Sequence, residues 1–171
     1  MRRLLFALLI ASFVAPAAAL DVPFVPTPEK VVEGMLELAK VGPRDTLYDL
    51  GSGDGRIVVS AAKKHGARGV GIDIDPERIR EARDNARKEN VFHLVEFREG
   101  DLFRADISQA TVVTIYLLSG INMKLRPKLL AELRPGTRIV SHAFDMGDWK
   151  PAATQRVGTS TLYLWVVPER Q

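Results

Sequence analysis

Three aspartates, Asp49, Asp73 and Asp101, each stand at or just beyond the end of a short apolar run, and the first opens the segment Asp49-Leu50-Gly51-Ser52-Gly53-Asp54-Gly55. Glycines at alternate positions after a strand let the backbone turn tightly and let a ligand approach with no Cβ atoms in the way. Such a loop suits a nucleotide-like ligand. It is also an ordinary strand-to-helix turn, and its spacing is GxGxG rather than the GxGxxG of dinucleotide enzymes. Asp73 closes the next apolar run 22 residues after Gly51, where an acid can accept hydrogen bonds from both hydroxyls of a ribose. Capping a helix is the other role open to it, but Asp75 before Pro76 already supplies that cap. Asp101, in Glu99-Gly100-Asp101-Leu102-Phe103, follows a third run. Three successive strand ends thus present a carboxylate on the edge where open α/β sheets bind ligands.

A second set of polar residues falls near later strand ends: Tyr116, His142, Asp145 and Asp148, with Thr27 inside PFVPTP at 23–28. These are the residues able to align a nucleophile or take its proton. Each also has a plain structural reading, with His142 a core histidine, Asp145 and Asp148 turn residues, Tyr116 sheet packing and Thr27 a helix cap. Trp149 suits the core under the last strands as well as a substrate groove. His65, His93 and His142 lie on different elements without ligand spacing, so no metal site is expected. The absence of cysteine excludes disulfides, thiolate metal sites and a cysteine nucleophile.

Alternating strands and helices must carry these residues, which predicts a parallel sheet with helices on its faces. A first helix starts at Thr27-Pro28, buries Val31, Val32, Met35, Leu36 and Ala39, and ends at Gly42-Pro43. Strands are expected at 46–50, 69–73, 92–97, 112–117 and 137–141. Helices are expected from about 55 to 65, from Asp75-Pro76 to about Asn90, and around 123–133. Pro127 must sit in the first turn of that last helix or kink it. Two apolar stretches near 153–157 and 161–167, separated by Gly158-Thr159-Ser160, read as an antiparallel hairpin added to the sheet edge.

The order and spacing of the glycine loop, the second-strand acid and the third-strand acid resemble those of class I S-adenosylmethionine-dependent methyltransferases across residues 23–167. The resemblance implies a single-domain Rossmann-like, mostly parallel seven-strand sheet, with S-adenosyl-L-methionine as cofactor. It implies that Gly51, Ser52, Gly53 and Gly55 wrap the methionine part, Asp49 reaches its amino group, Asp73 holds the ribose and Asp101 meets the adenine amine. Ile74 and Leu102 would sandwich the base. Asp145, Tyr116 and Thr27 are then the candidates for catalytic roles. PFVPTP at 23–28, DLGSGDGRI at 49–57 and DMGDWKP at 145–151 are similar to a bacterial group related to the mitochondrial seven-strand lysine methyltransferases, which implies a protein lysine as acceptor. The chain departs from that group at Ala143, where an aspartate is common.

Methyl transfer to a small molecule, and a catalytically silent cofactor-binding module of the cell envelope, remain open beside this reading. A nicotinamide oxidoreductase would share the fold but lacks its GxGxxG and proton-relay residues here. With 171 residues, 46% hydrophobic and 26% charged, the chain suits one folded domain, residues 20–171, as a monomer or small homo-oligomer. Arg2-Arg3, the apolar run 4–14 and Ala17-Ala18-Ala19 have the layout of a signal peptide over residues 1–19. The run falls short of the roughly 20 residues that span a bilayer. Export to the periplasm or envelope is therefore expected, or a cytoplasmic location if the segment is not a signal. Its loss would leave 22 basic against 21 acidic side chains, taking the formal charge from +3 to +1. No electrostatic footprint for nucleic acid remains, and Lys63-Lys64 reads as a solvated helix face.

Overall fold

The structure, a computed structural model, describes residues 24–170; the expected signal segment lies outside them. The elements follow as α1 (Glu29–Leu38), β1 (Thr46–Leu50), α2 (Arg56–His65), β2 (Arg68–Asp73), α3 (Pro76–Lys88), β3 (Val95–Glu99), β4 (Val112–Ile115), α4 (Ser119–Glu132), β5 (Arg138–His142), β6 (Ala153–Val157) and β7 (Ser160–Val166). They build one seven-stranded sheet in the order β3-β2-β1-β4-β5-β7-β6. The first five strands are parallel, while β7 runs antiparallel to both β5 and β6. The C-terminal hairpin therefore joins the sheet through its second strand.

Alternation along the strands sends neighbouring side chains to opposite faces, and two apolar layers result. Leu47, Phe97 and Val140 pack with α1, α2 and α3, through Met35, Leu36, Val58 and Ile79 among others. Tyr48, Leu50, Ile72, Ile115 and Ile139 pack on the other face with Leu125, Leu129 and Leu133 of α4. Trp165 is fully buried in this second layer, and its indole N–H donates to the Trp149 carbonyl at 2.7 Å. Trp149 stacks obliquely on it, at 6.0 Å between rings, and so covers the core. Among the described residues no helix is long and apolar enough to cross a membrane.

Several boundaries differ from the sequence reading for local reasons. Helix α1 begins after Pro28 without a side-chain cap, because the Thr27 hydroxyl is engaged elsewhere, and it ends at Leu38, with Lys40 at φ 51° closing it ahead of Gly42. Asn90 adopts φ 58° after α3, and residues 91–94 make a turn, so β3 starts at Val95 and leaves Phe92 half exposed. Helix α4 starts at Ser119, four residues before the expected point. Pro127 consequently lies in its third turn. There its missing N–H leaves one carbonyl of the exposed Met123 turn without an intrahelical partner. Asp75 does cap α3, its Oδ1 accepting from the Glu77 N–H at 2.8 Å.

Candidate active site

A cleft of about 240 Å³ opens along the C-terminal ends of the parallel strands. The strand order reverses between β1 and β4, the point at which adjacent connections leave to opposite faces and a crevice must form. Asp49, Gly51, Ser52, Asp73, Ile74, Asp101, Leu102, Tyr116 and Thr27 all line it. Gly53 and Gly55 lie behind the wall. A Cβ on Gly55 would stand 2.7 Å from the Phe97 ring and 2.8 Å from Ala82, so this glycine at φ 76° allows α2 and α3 to pack close on β3.

Asp49, next to last in β1, has only 2% of its surface exposed and accepts a 2.8 Å hydrogen bond from Thr114 Oγ1. Burial pushes its carboxyl up to about 7; the Thr114 bond acts against this, and the nearby Asp73 and Asp54 charges add to it. Asp73 ends β2 and ties the loop together, Oδ2 accepting from the Gly53 N–H at 2.7 Å and Oδ1 from the Asp75 N–H at 3.0 Å. Asp101 is more exposed and accepts from the Phe103 N–H at 2.8 Å, which fixes the turn that presents Leu102. Ser52 Oγ is buried in the wall and has no hydrogen-bond partner among the described residues.

Residues 24–28 form a strap over the glycine loop. The Phe24 ring lies where a Cβ on Gly53 would meet it at 2.3 Å, and the Arg78 guanidinium sits 4.8 Å from that ring. Arg56 binds both carboxylate oxygens of Asp54 and donates to the Thr27 carbonyl at 3.0 Å. Sequence reasoning misses Asp54, Arg56 and Arg78 as lining residues, since nothing in their spacing marks a contact with a segment roughly thirty to fifty residues earlier.

At the other end of the cleft, Tyr116 follows β4 and its ring stacks on His142 with centroids 3.9 Å apart. The structure does not bring Asp145 or Asp148 into the lining. Asp145 is exposed and accepts from the Gly147 N–H at 3.2 Å, and Asp148 pairs with Arg126, which holds its carboxyl below the usual range. Ala143 is exposed at φ 66°.

This doubly wound sheet, with a glycine loop after β1 and acids after β1, β2 and β3, defines a class I S-adenosylmethionine-dependent methyltransferase. The chain belongs to the ANTKMT methyltransferase domain family, whose model matches residues 49–153. It is 49% identical to a protein-lysine N-methyltransferase of Saccharolobus islandicus, over 88% of this chain and 96% of that protein. It is 32% identical to the adenine nucleotide translocase lysine N-methyltransferase of Mus musculus over 86% of its length, spanning 64% of that longer relative. Among solved structures, a Salinibacter ruber protein described as an RNA methyltransferase, in complex with S-adenosyl-L-homocysteine, is 60% identical. It superposes with a TM-score of 0.85 over 86% of this chain and 96% of that one. Its bound homocysteine derivative agrees with S-adenosylmethionine as the cofactor.

Proposed function

We propose that this enzyme methylates the side-chain amine of a protein lysine. The observation that carries the reading is the likeness to the archaeal protein-lysine N-methyltransferase over nearly that protein's whole length. S-Adenosylmethionine supplies a methyl group already activated on a sulfonium, so the protein must chiefly align donor and acceptor and keep water out.

The cleft fits that cofactor. Backbone at Gly51 can approach a ligand closely because no Cβ intervenes. Asp49 is placed to receive the cofactor's amino group, which would restore the carboxylate's charge in its buried setting. Asp73 would accept from the ribose hydroxyls while keeping Gly53 in place, and Asp101 would accept from the adenine amine. Ile74 and Leu102 would hold the base between them. Because these carboxylates come from β1, β2 and β3, the β4–β5 half of the edge is left for the acceptor. Thr27 and Tyr116 stand there, and no carboxylate of that half lines the cleft. The incoming amine must therefore lose its proton to solvent rather than to a strong base, with the hydroxyls left to orient it.

The test is transfer of isotope-labelled methyl from S-adenosylmethionine by the purified enzyme into envelope and cytosolic fractions of its host, with Asp73→Ala as control. A labelled protein band that yields methyl-lysine on hydrolysis supports the reading. Label recovered in RNA, as the description of the Salinibacter ruber relative would suggest, or in small molecules alone, would sink it.

A further inference from the structure

Three elements distant in sequence meet at His142. The imidazole ends β5 with 3% of its surface exposed. Its Nδ1 lies 3.3 Å from the Thr27 hydroxyl of the strap and its Nε2 lies 2.9 Å from the Ser160 hydroxyl at the start of β7. Its face is covered by Tyr116 from β4. Thr27 and Tyr116 line the cleft, whereas His142 and Ser160 stand behind them. A neutral imidazole has one N–H and one bare nitrogen, so it can accept from one hydroxyl only while it donates to the other. The ring thereby couples Ser160, in the terminal hairpin, to the hydroxyl of a residue that lines the cleft.

We propose that His142 and Ser160 are positioning residues of the acceptor subsite, which orient the Thr27 hydroxyl so that its oxygen receives a hydrogen bond from the acceptor nitrogen. This rests on placing the acceptor at the β4–β5 half of the cleft, not on the acceptor being lysine. With Nε2–H donated to Ser160, the bare Nδ1 accepts the Thr27 proton, and the Thr27 lone pairs are left for an incoming N–H. That holds the nitrogen in place with its own lone pair free for in-line attack. A doubly protonated ring would reverse the arrangement. Thr27 would then have to accept from Nδ1, and its proton would face the acceptor's own N–H. Burial holds His142 below the ordinary histidine range, which favours the neutral ring. Tyr116 is the titratable group in contact with the ring; Thr27 and Ser160 contribute hydroxyls, and among the described residues no carboxylate or cation touches it.

The experiment combines two readouts on the full chain carrying ¹⁵N-labelled histidine, in the wild type, Thr27→Val, Thr27→Ser and Ser160→Ala. Imidazole ¹⁵N shifts from pH 8 to 5 report the tautomer and titration of His142. Steady-state transfer into whichever host fraction the wild type labels reports kcat and KM across the same range. We expect a single neutral tautomer in the wild type and a mixture in Ser160→Ala. In Thr27→Val, kcat falls on the order of 10²-fold, and Ser160→Ala gives a smaller loss. Thr27→Ser retains activity, and affinity for S-adenosylhomocysteine stays within about twofold in Ser160→Ala, whose hydroxyl stands behind the cleft. Wild-type kcat and an unchanged acid limb in Thr27→Val and Ser160→Ala would overturn the proposal, as would a His142 tautomer indifferent to both. Methyl recovered on an atom other than the lysine amine would count against the proposed lysine acceptor and leave these comparisons standing.

Discussion

Asp49 shows how much a single buried charge can dictate. Its carboxyl is held up to about 7, so over the range from its unfolded value to 7 the folded protein binds a proton that the unfolded chain releases. The stabilising effect of that bound proton is complete at acid pH and is lost as pH rises through about 7. Asp49→Asn should accordingly melt higher than the wild type at pH 8, by an amount on the order of a few kcal/mol, and no higher at pH 4; thermal melts at both values check this. In the proposed pairing of Asp49 with the ligand's amino group, cofactor binding carries the opposite demand, because an ammonium pairs with the ionised form. Wild-type affinity for S-adenosylhomocysteine should strengthen as pH climbs from 6 to 8, with proton uptake by buffer near pH 7. The Asn variant should bind weakly without that dependence, as calorimetry in two buffers would show. Ala143 makes a second residue-scale case. A β-carbon at φ 66° costs about 1 kcal/mol, so Ala143→Gly should raise Tm by a few degrees. The three carboxylates were legible in the sequence as acids because each stands at or within two residues of a strand's C-terminal end. Ser160 was not, since its partner is 18 residues away and no local pattern announces a hairpin hydroxyl that reaches a buried ring.

At the scale of elements, the strap makes the cleft a partly covered one. Segment 24–28 has no regular secondary structure and is held by side chains from two helices, Arg56 of α2 on the Thr27 carbonyl and Arg78 of α3 on Phe24. A cation over an aromatic ring at a partly exposed site contributes about 0.5–1 kcal/mol, and a charged hydrogen bond about 1.5–3 kcal/mol. Arg78→Ala should therefore release S-adenosylhomocysteine several-fold faster in stopped-flow displacement, and Arg56→Ala faster again, with association little changed. Equal off-rates in all three proteins would mean that the strap does not gate the cofactor. The elements themselves were largely readable, because β-branched runs and the Asp75-Pro76 start are local signals. The misplaced ones were β3 and α4. Phe92 mimicked a strand residue although Asn90 had already turned the chain. Leu118-Ser119-Gly120 hid the start of a helix that begins without a side-chain cap.

The molecule as a whole bears on the acceptor. Several of its basic side chains are paired with acids: Arg56 to Asp54, Lys63 to Glu89, Lys64 to Glu33, Arg98 to Glu96, Lys128 to Glu132 and Arg138 to Asp45. Around the cleft two arginines, Arg56 and Arg78, face Asp49, Asp54, Asp73, Asp75 and Asp101. Such an edge attracts an ammonium and repels a phosphate backbone. The S. islandicus relative is named for lysine and the S. ruber relative for RNA, and this field favours the proposed lysine acceptor. A ligand held through six or more phosphates loses about 10³-fold in affinity between 50 and 200 mM salt. Transfer into a protein lysine guided by a few partly screened carboxylates should change by only about two- to fivefold over that interval. Initial rates of methyl transfer across a salt series, with added host RNA as competitor, measure the difference directly. A shallow slope with no inhibition by RNA is the expected outcome. A steep loss with salt, together with competition by RNA at micromolar concentration, would make a nucleic acid the acceptor, with the two arginines as its anchor.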